Sequence, residues 1–166
     1  DEALYALALY IYSLEPPPNP NPFDAEAQAG EALFARERCG RCHTPPLYTN
    51  NKLTLAAGFT PPEDAGEDVL RVSVRTDPNL ALRTRKGTGY YKVPSLKGVW
   101  YRGHYLHDGA VGSLEEMFDP DRLSGTHVRG GFSPPGAEIG AIPGHEYGLD
   151  LTPEERVQLI AFLRTL

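Results

Sequence analysis

Apolar residues recur at helical spacing in three stretches of this chain. Leu4, Leu7, Tyr10, Ile11 and Leu14 share one face of a helix predicted over residues 1–14. A second helix is predicted from Asp24, a side chain suited to an N-cap, to about Cys39. The third follows Thr152-Pro-Glu-Glu155, a capping box with proline in the first turn, and runs through Leu159, Phe162, Leu163 and Leu166. A shorter helix is predicted after Ser113, with Glu116 at capping-box spacing. The segment Glu15–Pro22 alternates proline with asparagine and reads as an extended, semi-rigid linker. Asp119–Asp150 is rich in Gly and Pro and reads as a long structured loop. The fold class expected from this pattern is mainly α, with a long irregular middle.

One internal similarity bears on organisation. Leu7-Ala-Leu-Tyr-Ile-Tyr-Ser-Leu14 aligns with Leu159-Ile-Ala-Phe-Leu-Arg-Thr-Leu166 at the Leu, aromatic, aliphatic and hydroxyl positions. Any two apolar helices can share such a pattern. The proline-rich linker directly after the first copy favours a domain boundary instead. The expected division is residues 1–14 as the closing helix of a preceding domain, 15–22 as linker, and 23–166 as the main domain. The chain begins with Asp rather than Met and carries no signal peptide, so a piece of a longer product is expected.

Composition narrows the function. With 16 Lys+Arg against 22 Asp+Glu, the net charge is -6. That balance lacks the basic footprint of a nucleic-acid binder and any polybasic segment for an anionic membrane. The longest apolar stretch, Ala3–Tyr12, is about half of the ~20 residues needed to span a bilayer, so no membrane insertion is expected. The 17 Gly and 16 Pro fit a loop-rich domain in which a cofactor supplies part of the core.

The 2 cysteines both lie in Cys39-Gly-Arg-Cys42-His43, so no other disulfide can form within the chain. Residues three and four apart on a helix share a face, which brings Cys39, Cys42 and His43 to one edge of a flat ligand. A Cys-x-x-Cys followed directly by His is the attachment motif of a c-type haem. Two thioethers hold the vinyl groups there, and the imidazole is an iron ligand. A thioredoxin-type pair would need a βαβ context and leaves His43 unexplained. A structural zinc site would need a further ligand pair. One covalent haem c, bound through Cys39, Cys42 and His43, is the expected cofactor. Upstream, Gly30 and Phe34 lie on one helical face, where glycine would admit a crossing helix. Leu159, Phe162 and Leu163 offer the partner surface. This resembles the crossed first and last helices of class I cytochromes c, giving a class I cytochrome c-like domain with long irregular loops.

Tyr91-Lys-Val-Pro-Ser-Leu96, Tyr105-Leu-His-Asp-Gly109 and Ser113-Leu-Glu-Glu116 extend the match. Together they resemble the C-terminal haem domain of the bacterial di-haem cytochrome c peroxidase and MauG superfamily, closest to the branch with the haem-dependent rubber oxygenases. The resemblance implies a periplasmic or otherwise extracytoplasmic protein whose partner is a preceding haem domain or second chain, and a redox partner protein. It implies that Pro94 and Leu96 pack against the haem. It further implies that this domain relays electrons, while peroxide or oxygen chemistry occurs at the other haem. The alternatives are an open iron site acting itself as a peroxidase or oxygenase centre, and a sensory or carrier module.

The second iron ligand is less directly encoded. The peroxidase-type methionine position falls near Asp121, and Met117, the only Met, lies four residues earlier and fits a core role equally. His104 and His107 belong to the aromatic loop, and His127 sits in a polar stretch and is expected to be exposed. His145 lies in Pro143-Gly-His-Glu-Tyr-Gly148, whose glycines suit a loop folded closely over a flat cofactor. It also resembles the second histidine ligand of the rubber-oxygenase branch, and His145 is the favoured ligand over Met117. Arg71, Arg75, Arg83, Arg85, Lys86 and Lys97 are candidates for the haem propionates, and Trp100 and Tyr101 for an electron path or plain packing.

Overall fold

The computed structural model of the chain describes residues 1–84 and 87–166. Helix accounts for 32% of it and strand for 9%, so the mainly α class expected from the sequence is corrected to a mixed fold. The reason is local: proline and positive-φ glycine interrupt the chain throughout its middle, and the two core helices hold only 12 residues each.

Helix α1 spans Glu2–Ser13 and none of its residues is buried. Leu4, Tyr5, Tyr10 and Ile11 are all more than half exposed. The linker that follows is not free. The Asn19 and Asn21 side-chain amides donate to the Arg164 carbonyl at 2.9 and 3.1 Å, satisfying one of the orphan acceptors at the end of the last helix.

Helix α2, Ala25–Arg36, begins where the Asp24 carboxylate accepts from the Ala27 amide. It buries Ala27, Gly30, Leu33 and Phe34, a stripe at three- and four-residue spacing. That stripe crosses α5, Pro153–Arg164, which buries Leu159, Ile160, Phe162 and Leu163. The α5 start has the expected capping box, with reciprocal bonds between Thr152 and Glu155. Gly30 is the crossing point: a Cβ there would lie 1.9 Å from the Gln158 carbonyl oxygen. Phe34 stacks edge-on to Phe162 with ring centroids 5.4 Å apart.

A small sheet occupies the middle of the chain, which the sequence reading treated as irregular. Strand β1, Leu53–Leu55, lies between β2, Val69–Ser73, and β3, Tyr90–Lys92. It pairs parallel to β2 and antiparallel to β3, with Leu53 opposite Lys92 and Leu55 opposite Tyr90. Helix α3, Asn79–Arg83, sits in the β2–β3 connection, and Tyr91 donates its hydroxyl to the Asp77 carbonyl beneath it. The sheet supplies two attachment lines to the rest of the fold. Beyond β3, the Val93 carbonyl accepts from Thr49 Oγ1, and beyond β2, the Val74 carbonyl accepts from the His145 amide.

Helix α4, Leu114–Met117, is a single turn capped by Ser113. Glu116 does not complete a capping box. Its carboxylate instead accepts from the Gly112 and Gly130 amides and pairs with His127 at 2.7 Å. His127 is thus largely covered, correcting the expectation of an exposed side chain, because its partner lies eleven residues upstream across the loop. Met117 is buried in the core with Phe118, Leu114 and Leu151.

Candidate haem site

Helix α2 stops short of the Cys39–His43 motif. Arg38 adopts a left-handed φ of 58°, and Cys39–Arg41 form a separate 3-10 turn, so the motif does not continue the helix as the spacing suggested. The same i, i+4 closure is nevertheless made locally: the His43 amide donates to the Cys39 carbonyl at 2.9 Å. Both cysteines are half-buried, and burial pushes the Cys39 thiol up to about 11. Among the described residues, no three His, Cys, Asp or Glu side chains converge into a metal cluster.

His43 Nδ1 lies 3.2 Å from the Tyr48 carbonyl, which fixes the ring and leaves its other nitrogen for a ligand role. Behind it, Tyr48 packs edge-on against Phe34 and Phe162, with centroids 5.9 and 6.1 Å apart. Burial holds the His43 imidazole below its ordinary pKa, keeping it neutral.

The His145 ring faces that of His43, with centroids 6.3 Å apart and planes inclined at 60°. His145 is brought there by a strained loop: its own φ is 47°, and Gly144 has a φ of 93°. The glycine at 144 serves a close approach, but to the chain rather than to a cofactor, since a Cβ would lie 2.4 Å from the Thr76 amide nitrogen. Burial, and then the neighbouring His43, push the His145 imidazole down to about 4, so it is neutral and able to ligate. Its Nδ1 is buried without a hydrogen-bond partner. Tyr147 closes the other side, edge-on to His145 at 5.4 Å.

Of the remaining candidates, the Pro94 carbonyl lies against His43 and Leu96 packs on the core. His107 stacks on Tyr91 at 4.1 Å, and His104 is exposed. Lys97 sits 5.5 Å above the Tyr48 ring, and Arg71 bonds the Glu63 carbonyl. Arg85 and Lys86 lie outside the described residues. Trp100 and Tyr101 stack edge-on at 4.9 Å.

No family model matches the chain. The methylamine utilization protein MauG of Methylorubrum extorquens is 30% identical over 143 residues, covering 86% of this chain and 35% of that protein. The cytochrome-c peroxidase IdrP1 of Denitromonas iodatirespirans is 28% identical over 162 residues, covering 86% of this chain and 40% of the relative. The chain belongs to the MauG and di-haem cytochrome c peroxidase superfamily. A solved MauG-like protein associated with microbial copper homeostasis is 24% identical, with a TM-score of 0.49 over 87% of this chain and 47% of that one. The chain spans well under half the length of the curated relatives it matches.

Membership makes the chemistry haem-based and redox in kind, with haem c as the implied cofactor. The side chains fit that group. A first-row metal bound at about 2.0 Å by a nitrogen on either side sets two imidazole centroids about 6 Å apart, and the His43–His145 separation is 6.3 Å. A buried, unbonded imidazole nitrogen at His145 is a second sign, because such atoms are normally satisfied. Among the described residues, no helix is long and apolar enough to cross a membrane.

Proposed function

We propose that the chain holds one haem c, joined by thioethers to Cys39 and Cys42 and ligated axially by His43 and His145, and that it relays electrons within a larger di-haem oxidoreductase. The observation that carries this reading is the facing pair of imidazoles, one oriented by the Tyr48 carbonyl and one buried with its Nδ1 unpartnered. The haem supplies a one-electron couple whose potential follows its axial ligands. With His43 and His145 both holding the iron, no position would be left for a substrate. Two neutral imidazoles also set a lower potential than a His/Met pair. Met117 is tied into the core by Leu114, Phe118 and Leu151, which favours His145 as the ligand.

The relay reading includes an extracytoplasmic location, where haem attachment and a second haem domain would occur. The exposed apolar side chains of α1 suit packing against that preceding domain or a second chain. The reading is tested by acid–acetone extraction followed by cyanide addition to the ferric protein. The colour is expected to stay with the polypeptide, with a mass of chain plus one haem, and cyanide is expected to bind slowly. Haem released to the organic phase would refute the thioethers. Immediate cyanide binding would refute the closed axial site and favour a catalytic centre.

A further inference from the structure

Among the described residues, Arg122 is the largest side chain that is completely buried. It lies in the 3-10 turn Pro120–Leu123, and among the described residues no carboxylate is within ion-pair distance of it. Burying a guanidinium unpaired is expensive, by several kcal/mol for an ion without compensating bonds. Its hydrogen bonds all go to main-chain carbonyls, while the Glu146 and Glu116 carboxylates favour its charge from beyond bonding distance. Nε donates to Met117 O at 3.1 Å, one terminal nitrogen donates to Ile142 O, and the other is shared between Gly144 O and His145 O at 2.9 Å each.

Two of these acceptors are His145 itself and the residue before it. The backbone returns the bond, since the Ile142 amide donates to the Arg122 carbonyl at 2.7 Å. On its other side the loop is pinned by the His145 amide on Val74 O at 2.6 Å and by the glycine contact at Thr76. A left-handed φ at a histidine is disfavoured, and such strain persists only where the surroundings over-determine it. The flat guanidinium fork matches diverging carbonyls in a way that a lysine ammonium, a point charge, does not.

We propose that Arg122 is the positioning residue for the distal ligand: its guanidinium holds the 142–145 loop so that the His145 imidazole stays opposite His43. The proposal rests on the reading of His145 as an iron ligand. Loss of the fork lets the loop open and exposes the iron transiently to solvent ligands, while the chemistry of the imidazole itself is untouched.

The test is the rate of cyanide binding to the ferric, haem-loaded protein, with the low-spin fraction read from the same spectra. Arg122→Lys is expected to bind cyanide about tenfold faster or more, because the rate follows the open fraction. Arg122→Gln is expected to be faster again, with part of the iron high-spin. His145→Ala, mainly high-spin and fast, sets the upper limit. If His145→Ala leaves spectrum and rate unchanged, the ligand reading itself fails and the proposal goes with it. If His145→Ala opens the site but both Arg122 variants bind at the native rate, the ligand reading stands and the positioning role is refuted. Should far-UV circular dichroism show that neither Arg122 variant folds, Arg122 serves the fold at large and the proposal is overturned.

Discussion

Gly30→Ala isolates the helix crossing that holds the Cys39–His43 segment against the end of the chain. The new methyl would lie 1.9 Å from the Gln158 carbonyl oxygen, 2.6 Å from its carbon and 2.8 Å from Phe162 Cβ. A close carbon–oxygen contact is about 3.3 Å, so α2 and α5 must part by more than an ångström. The clashing atoms belong mainly to backbone and cannot rotate away. Over-packing of this kind costs about 1–3 kcal/mol, and this site belongs at the upper end. Alanine returns about 1 kcal/mol of helix propensity. The net loss is about 2 kcal/mol, or a fall of about 4–8 °C in Tm for a chain of this size. Thermal unfolding of the haem-loaded protein, followed by far-UV circular dichroism, measures it. Gly125→Ala is the control: no atom lies within 4 Å of its added Cβ, and Tm should barely move. A Gly30→Ala variant as stable as the parent would refute the close crossing.

Glu116→Gln should lower stability at neutral pH by about 1–2 kcal/mol, because a carboxylate accepting from two amides and His127 becomes a neutral amide. Burial alone would raise the Glu116 carboxyl, but those hydrogen bonds outweigh it and hold it below the ordinary range. Its contribution is therefore full above the unfolded carboxylate pKa and is lost as pH falls through the lowered folded value. The Tm gap between parent and variant should close on acidification, and a constant gap would contradict the assignment. Thr152→Ala, which removes the hydroxyl half of the capping box, should cost about 1 kcal/mol in denaturant unfolding with an unchanged slope.

The parts of this fold legible in the sequence are those set by local chemistry. Asp24 and Thr152 place two helix starts, and Gly30 with Phe34 and Phe162 foretell a close crossing because only a missing Cβ permits it. The Cys39–His43 spacing is what carries the proposed attachment site, even though the helix ends at Arg36 and a 3-10 turn holds the motif. Non-local pairings are what escaped. Strand β1 is three residues long and is recognisable only once β2 and β3 lie beside it. His127 is covered by a glutamate on another element, and a polar neighbourhood in sequence gave no sign of it. No local pattern marks Arg122, because three of its four carbonyl partners arrive from residues 142–145. The helices that carry the Leu7–Leu14 and Leu159–Leu166 likeness differ in burial: no residue of the first is buried, and the second carries the core.

The central claim is that His43 and His145 share one iron, and the ferric absorption and electron paramagnetic resonance spectra of parent and His145→Ala test it most directly. The parent should be low-spin, without a thioether-to-iron charge-transfer band in the near infrared. His145→Ala should turn high-spin while the haem stays covalently attached. A parent with that thioether band, or a His145→Ala variant whose spectra match the parent's, would contradict the account.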